Sequence, residues 1–172
     1  MPSANTTKYY SSKQEKMVAK ALGGYQVGLS GAGPGNPGDV KTYDWLVECK
    51  THTEPGHRIT FNNAVWKKIE DEAMAIHRKP VLIVDDGSQK ESRTWCLCRA
   101  ANLNLTRVIA SSTLEKAKKN LSFNDEILSS GIKTLTRTYV GETYDYAVYE
   151  IEWEGETVVI SPLSTFKELF NR

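Results

Sequence analysis

Two carboxylates and a lysine lie close together in one short stretch of the sequence. Glu48 follows Asp39 by nine residues, and Lys50 lies two residues beyond Glu48. Mg²⁺ is typically held in proteins by one or two carboxylates, with water molecules and substrate phosphate oxygens completing its coordination. A lysine beside such a cation can orient an attacking water or balance the charge on a phosphoryl oxygen. The stretch is therefore a candidate site for a divalent cation and a phosphate-bearing substrate.

The pairing of the strands that carry these residues decides whether their side chains meet. A two-residue turn at 43–44 pairs Asp39 with Glu48, and directly opposed residues share one face of a sheet. Lys50 falls on the same face. The two Cα atoms would then lie roughly 5 Å apart, and opposed like charges destabilise a hairpin unless a cation neutralises them. The other face collects Val40, Thr42, Trp45, Val47 and Cys49, and suits a core.

Apolar periodicity and turn signals predict a mixture of helices and strands around this hairpin. Ser12 and Glu15 have the spacing of a capping box, which predicts a helix that starts there and ends at the glycine pair 23–24. A second helix is expected from residue 62 or 63 to 79, where Pro80 stops it. Further helices are expected from residue 112 and over 163–170, and strands over 25–29, 39–41, 45–50, 59–61, 81–84, 93–99, 133–140, 144–153 and 156–160. The mixture predicts an α/β or α+β fold in one domain, 1–172.

Glu15 has two interpretations. It precedes Val18 by three residues and Leu22 by seven, so it flanks the apolar stripe of the first helix and could face Asp39 and Glu48 as a third carboxylate. Alternatively, it only completes the capping box with Ser12.

Together, these residues resemble the PD-(D/E)xK nuclease superfamily. The resemblance is carried by Glu15 in the first helix, Ser30 in a glycine-rich loop, Gly38-Asp39-Val40 and Leu46-Val47-Glu48-Cys49-Lys50, and covers roughly residues 8–98. Within the superfamily the chain is most similar to Holliday junction resolvases of the archaeal type and their bacteriophage relatives. Gly38 departs from the pattern, since the family usually has proline before the aspartate.

The resemblance implies a restriction-endonuclease-like mixed β-sheet flanked by helices, to which the region after residue 98 adds strands and a helix. It implies a homodimer that cuts branched DNA with Mg²⁺ or Mn²⁺. Asp39 and Glu48 would bind the metal beside the Cys49 carbonyl, Glu15 would complete the site, and Lys50 would be the catalytic lysine. Ser30 would lie near the scissile phosphate. The alternatives are a repair or restriction-type nuclease, or a catalytically silent DNA-binding module.

The charge distribution is compatible with a polyanionic substrate. The net charge is only +1, but residues 140–172 hold seven acids against two bases, so the remaining chain is basic. Lys13, Lys16 and Lys67 lie on the two predicted helices and are expected to contact DNA phosphates beside the metal site. The loop 30–38 is expected to be either a flexible arm against the DNA backbone or a plain surface loop.

Composition excludes several classes of protein. No apolar run approaches the roughly 20 residues of a membrane helix, and the first residues lack a signal-peptide core. Three cysteines do not make a disulfide framework, so we expect a reducing cytoplasm, that of the host if the protein comes from a bacteriophage. Cys96 and Cys98 are expected to be packing residues. Phe61, Trp66 and Met74 are candidates for a dimer interface.

Overall fold

The protein is described by a computed structural model, which covers residues 4–28, 36–103, 107–108, 120–124, 133–139 and 142–170. The helices are α1 (Ala4–Leu22), α2 (Asn63–Ala75) and α3 (Leu163–Phe170). The strands are β1 (Tyr25–Gln26), β2 (Val40–Lys41), β3 (Trp45–Lys50), β4 (Ile59–Asn62), β5 (Lys79–Asp85), β6 (Thr94–Arg99), β7 (Arg107–Val108), β8 (Asn120–Phe123), β9 (Lys133–Tyr139), β10 (Glu142–Trp153) and β11 (Glu156–Pro162). The helix predicted from Ser112 falls outside the described residues.

One mixed sheet organises the molecule. Its nine strands lie in the order β1-β2-β3-β5-β6-β11-β10-β9-β7. β3 and β5 are parallel, with α2 in the crossover between them, and the other neighbours are antiparallel. β4 and β8 form a separate two-stranded antiparallel sheet. The predicted class, a mixed α/β sheet flanked by helices, is confirmed.

Two apolar layers hold this sheet between the helices. On one side, residues of α1 and α3 such as Val18 and Phe166 pack together with Val47 of β3. On the other side, Trp66 and Ile69 of α2 pack on residues of β3 to β6 and of the C-terminal strands. Burying one large apolar side chain contributes about 1.5–3 kcal/mol. The strands after residue 98 therefore belong to the same core as the predicted nuclease elements.

The first helix starts earlier than its capping signal predicted. It begins at Ala4, so Ser12 lies in the helix interior and cannot be its N-cap. The capping interpretation of Glu15 is therefore wrong. Residues 4–11 carry no apolar stripe, which is why periodicity placed the start too late. The predicted end is confirmed: Gly23 has φ +65°, and the N–H of Gly24 donates to the carbonyl of Ala19 at 2.9 Å.

The second helix starts as predicted and ends four residues early. Asn62 is its N-cap, and the Asn62 side chain accepts a hydrogen bond from the N–H of Val65 at 3.2 Å. The helix ends at Ala75, and His77 takes the left-handed conformation with φ +55°. Lys79, predicted as helical, is already in β5. Proline disfavours helical geometry at the residue before it, so Pro80 holds Lys79 extended and in the strand.

The proposed interface residues divide between core and surface. Phe61 and Trp66 are buried in the core of their own chain, and the expectation that they form a dimer contact is wrong. Met74 is 65% exposed. Cys96 and Cys98 are buried and unpaired among apolar side chains, as expected. Among the described residues, no helix is long and apolar enough to cross a membrane.

Candidate active site

The hairpin of β2 and β3 has the register that the sequence predicted. Val40 lies opposite Val47, and the N–H of Asp39 donates to the carbonyl of Val47 at 2.8 Å. The Tyr-Asp turn is not a strong hairpin turn by sequence, but a side-chain hydrogen bond stabilises it. The hydroxyl oxygen of Thr42 accepts from the N–H of Trp45 at 3.0 Å. Asp39 therefore comes into line with the carboxyl-terminal half of β3, which carries Glu48 and Lys50.

Asp39 is fixed at both its side chain and its backbone. Its Oδ2 accepts a hydrogen bond from the N–H of Cys49 at 2.8 Å, and its carbonyl accepts from the N–H of Val27 at 2.8 Å. Gly38 before it has φ +71°, and a Cβ there would lie 2.6 Å from a methyl carbon of Leu46. Proline is confined to φ near −65°. The glycine that departs from the family pattern is therefore required by this backbone.

Glu48 and Lys50 form an ion pair at the end of β3. Lys50 Nζ lies 2.9 Å from Glu48 Oε1, and the side chains are 51% and 12% exposed, respectively. Burial raises the pKa of Glu48, and the charge of Asp39 raises it further against the opposing effect of Lys50. Burial alone would lower the pKa of Lys50, but the contact with Glu48 outweighs it and the pKa rises. Lys50 therefore stays protonated beside a carboxylate whose charged form is disfavoured by burial.

Glu15 brings a third carboxylate to this cluster from α1. The residue is only 8% exposed, and its Oε2 accepts a hydrogen bond from Nε2 of Gln26 at 2.6 Å. Burial raises the pKa of Glu15, the bond from Gln26 opposes that rise, and the charges of Asp39 and Glu48 add to it. Glu15 thus interacts with the two acids of the hairpin, as its first interpretation expected.

Two glutamines that the sequence analysis did not single out support the cluster. Gln26 orients Glu15, as described above. Gln14 is 1% exposed, and its Nε2 donates to the carbonyl oxygen of Lys50 at 2.7 Å. A signal for Gln14 existed, because it lies four residues before Val18 on the buried face of the helix. No sequence signal indicates that β1 brings Gln26 to Glu15.

The lysines predicted to contact DNA lie on the two helices, and all three are exposed. Lys13 and Lys16 are exposed on α1, and Lys67 is exposed on α2. The charge of Lys68, the neighbour of Lys67 on α2, lowers the pKa of Glu48. Ser30 lies outside the described residues, as does most of its loop.

The donor set of the cluster suits a hard divalent cation. Each carboxylate is anchored through one oxygen: Glu15 through Gln26, Asp39 through Cys49, and Glu48 through Lys50. The second oxygen of each accepts no hydrogen bond from the described residues, so it is available to a ligand. Three acids against one lysine leave an excess of negative charge in a partly buried place.

The arrangement is an open site and not a closed cage. Within the described ranges, no three His, Cys, Asp or Glu side chains are placed to surround one ion. Mg²⁺ does not need such a cage, because it keeps several waters and uses one or two carboxylates. The thiol of Cys49 is buried and its pKa is raised well above the usual value by that burial, so the thiol is neutral and only the backbone carbonyl remains as a candidate ligand.

Comparison of the chain with protein-family models, with curated proteins and with solved structures gave no match in any of the three. The chemistry of the chain therefore has to be inferred from its own residues.

Proposed function

We propose that the protein is a metal-dependent endodeoxyribonuclease of restriction-endonuclease-like fold that cuts branched DNA, four-way junctions above all. The observation that carries the proposal is that Glu15, held by Gln26, and Asp39, held by the N–H of Cys49, both act on the Glu48–Lys50 ion pair. This convergence requires α1, the loop before β2, and β3 to meet. A structural ion pair needs no such excess of negative charge.

Each residue of the cluster has a distinct role in this proposal. Asp39 and Glu48 would hold Mg²⁺ or Mn²⁺ through their free oxygens, with the Cys49 carbonyl beside them, and Glu15 would complete the site. When bound, the cation neutralises charge on the phosphate and lowers the pKa of the attacking water. Lys50 stays protonated and donates to a phosphate oxygen or to that water. Gln14 holds the backbone of Lys50 in place.

Selectivity for a branched substrate implies two cuts by two copies of the chain. Closed two-fold dimers are the commonest assemblies, and a dimer would present two equal sites to the two symmetric strands of a junction. The buried, unpaired cysteines fit a reducing cytoplasm. We expect sedimentation to give a dimer at micromolar concentration; a monomer with intact junction cleavage would contradict the two-site scheme.

The decisive experiment compares cleavage of a four-way junction with cleavage of a matched linear duplex, with and without Mg²⁺. We expect Mg²⁺-dependent cuts in the junction that EDTA abolishes. Glu48→Gln should be inactive. Glu70→Gln is the matched control, because Glu70 also pairs with a cation but lies in a different cluster. Sequence-dependent cutting of the duplex would favour a restriction-type nuclease, and binding without any cleavage would favour a silent DNA-binding module.

The geometry of the metal site can be tested separately from activity. Crystals grown with Mn²⁺ should give one anomalous peak between Asp39 and Glu48. A peak elsewhere, or none at saturating Mn²⁺, would contradict the assignment of these two residues as ligands.

A further inference from the structure

The outer face of α1 carries a row of exposed side chains that the proposed active site does not use. Tyr9, Lys13, Lys16 and Lys20 follow one another at spacings of four, three and four residues, which places them on one face of a helix. All four are exposed, Tyr9 by 62%. We call these four residues the α1 lysine stripe.

The stripe faces away from the candidate active site. The buried side chains of α1 include Gln14, Glu15, Val18 and Leu22, which face the sheet. With 3.6 residues per turn, their mean direction is about half a turn from that of the stripe. By helix geometry, the stripe lysines therefore point away from the face of α1 that carries Glu15.

The charges of the stripe are not neutralised by neighbouring acids. Elsewhere in the described chain, Lys50, Lys68 and Lys167 each pair with a glutamate. The three stripe lysines make no such pair with any described residue. The single acid on α1 is Glu15, which is buried on the opposite face. The stripe is therefore a surface that attracts anions.

Residues 7–13 of α1 have little tertiary support. From residue 7 onward, Gln14 is the first side chain of α1 that is buried. Threonine, tyrosine, serine and asparagine dominate residues 5–12, and they are weak helix formers. A helical segment with neither packing nor propensity is marginal alone. A ligand laid along the helix would stabilise it.

We propose that the α1 lysine stripe binds the phosphate backbone of a second duplex arm of branched DNA, while the cluster at Glu48 holds the arm that is cut. The proposal rests on the proposed function, since the ligand is its substrate. Lys13 and Lys20 are separated by about 10 Å along the helix axis. This length matches roughly three phosphates of one strand at 3.4 Å each. Because a linear duplex lies along one of the two surfaces only, the second contact favours a branched substrate.

The test uses a triple variant, Lys13→Gln/Lys16→Gln/Lys20→Gln, in the inactive Glu48→Gln background with Mg²⁺. Glutamine has nearly the helix propensity of lysine, so the helix is kept, and circular dichroism checks this. The charge-matched control replaces Lys41, Lys90 and Lys167 by glutamine. Lys13→Arg/Lys16→Arg/Lys20→Arg keeps the charges and should retain binding. Dissociation constants are measured for a four-way junction and for a linear duplex of one arm's length across a salt series.

We expect the triple glutamine variant to bind the junction about tenfold or more weakly, with a salt slope smaller by about two to three, one for each lost phosphate contact. Binding of the single-arm duplex should change less than about twofold, and the control should keep the junction preference. Unchanged junction binding would overturn the proposal. Equal losses on junction and duplex, or an equal loss in the control, would do so as well.

The experiment separates this proposal from the proposed function. Mg²⁺-dependent cleavage by the chain with Glu48 intact, together with unaltered junction binding in the triple variant, would overturn the stripe and leave the nuclease intact. The opposite result is also possible. If the triple variant loses junction binding selectively, and the wild-type chain cuts no DNA with any divalent cation, the stripe is supported and the nuclease proposal is overturned.

Discussion

Two clusters of acids lie on this sheet, and they are built differently. At the end of β3, Lys50 pairs with Glu48, and the charges of Glu15 and Asp39 act on that pair. On the opposite helical layer, Arg99 of β6 bridges α2 and β11: its guanidinium lies 2.7 Å from Glu70 Oε1 and 3.1 Å from Glu156 Oε1. The first cluster combines a helix with a hairpin, and the second ties a helix to two strands.

The difference lies in how completely the charges are matched. Burial raises the pKa of Glu70, and the proximity of Glu156 adds to that rise, but the Arg99 fork binds both carboxylates and opposes it. At the sheet edge, the lysine pairs with one acid and leaves free oxygens on three. The matched cluster is complete within the chain, whereas the unmatched one could be completed by a bound cation. The two clusters should therefore respond differently to substitution.

The largest effect is expected at the unmatched cluster. Under the proposed function, Glu48→Gln removes the charge of a metal ligand and should lower the cleavage rate by at least about 10²- to 10³-fold, as for loss of one group that stabilises developing charge. Because it also relieves repulsion from Asp39, it should leave the apo protein as stable or slightly more stable. Cleavage assays and thermal melting of the same samples check both. A large loss of melting temperature would identify Glu48 as a structural residue.

Asp39, the second acid of the hairpin, should respond differently from Glu48, because its side chain also accepts a backbone hydrogen bond. Asp39→Ala leaves the N–H of Cys49 without its acceptor, which should cost about 1–3 kcal/mol. Asp39→Asn keeps an acceptor and should be inactive but stable. The two variants together separate the structural bond from the metal ligand.

The glutamine that orients Glu15 should affect metal binding before it affects folding. Gln26→Leu removes the donor to Glu15, and loss of such an orienting partner weakens metal binding by about 10- to 100-fold. Calorimetric titration with Mn²⁺ measures this without any DNA. A substitution of Gln89 is not a suitable control, because the Gln89 side chain donates to Thr51 and His52 in the loop that follows Lys50. Gln26→Glu is a useful second variant, because it replaces the donor to Glu15 by a further negative charge. It should weaken Mn²⁺ binding unless the new carboxylate itself moves to bind the ion. Unaltered Mn²⁺ affinity in Gln26→Leu would contradict the orienting role of Gln26.

The matched cluster should behave in the opposite way. Arg99→Met leaves Glu70 and Glu156 close together without their cation, which should cost about 2 kcal/mol and lower the melting temperature by about 4–8 °C. Cleavage at a temperature where the variant is folded should be unchanged. Adding Glu70→Met should recover part of the stability, because the uncompensated acid is removed. Lost cleavage in a folded Arg99→Met variant would show that the two clusters are coupled.

The smallest effect is the pH dependence of the matched cluster. The pKa of Glu70 is raised in the folded chain above its usual 4.5, so the folded state holds this proton to higher pH than the unfolded state does. Stability from this group is thus fully present below about 4.5 and falls as pH rises through the raised pKa. Glu70→Gln cannot lose that proton. We expect its unfolding free energy, relative to wild type, to increase over this window in urea titrations at several pH values; a constant difference would contradict the shift.

Local signals were sufficient for much of the fold. The Val40–Val47 register, the Asn62 cap, the glycine stop after α1 and the buried run of β5 all follow from residues that are neighbours along the chain or across one turn. They could be predicted because their physics is local: alternation, capping and turn geometry. The start of α1 could not, because residues 4–11 have no apolar period and weak helix propensity.

What the sequence determined by itself was the chemistry of the hairpin: Asp39, Glu48 and Lys50 within twelve residues, in a register that turns them toward one another. Only the tertiary structure decided which distant residues join them. Gln14 meets the carbonyl of Lys50 across 36 positions, and Gln26 reaches Glu15, because α1 packs on β1 to β3. Periodicity gives a helix a buried face, but packing alone decides what that face touches.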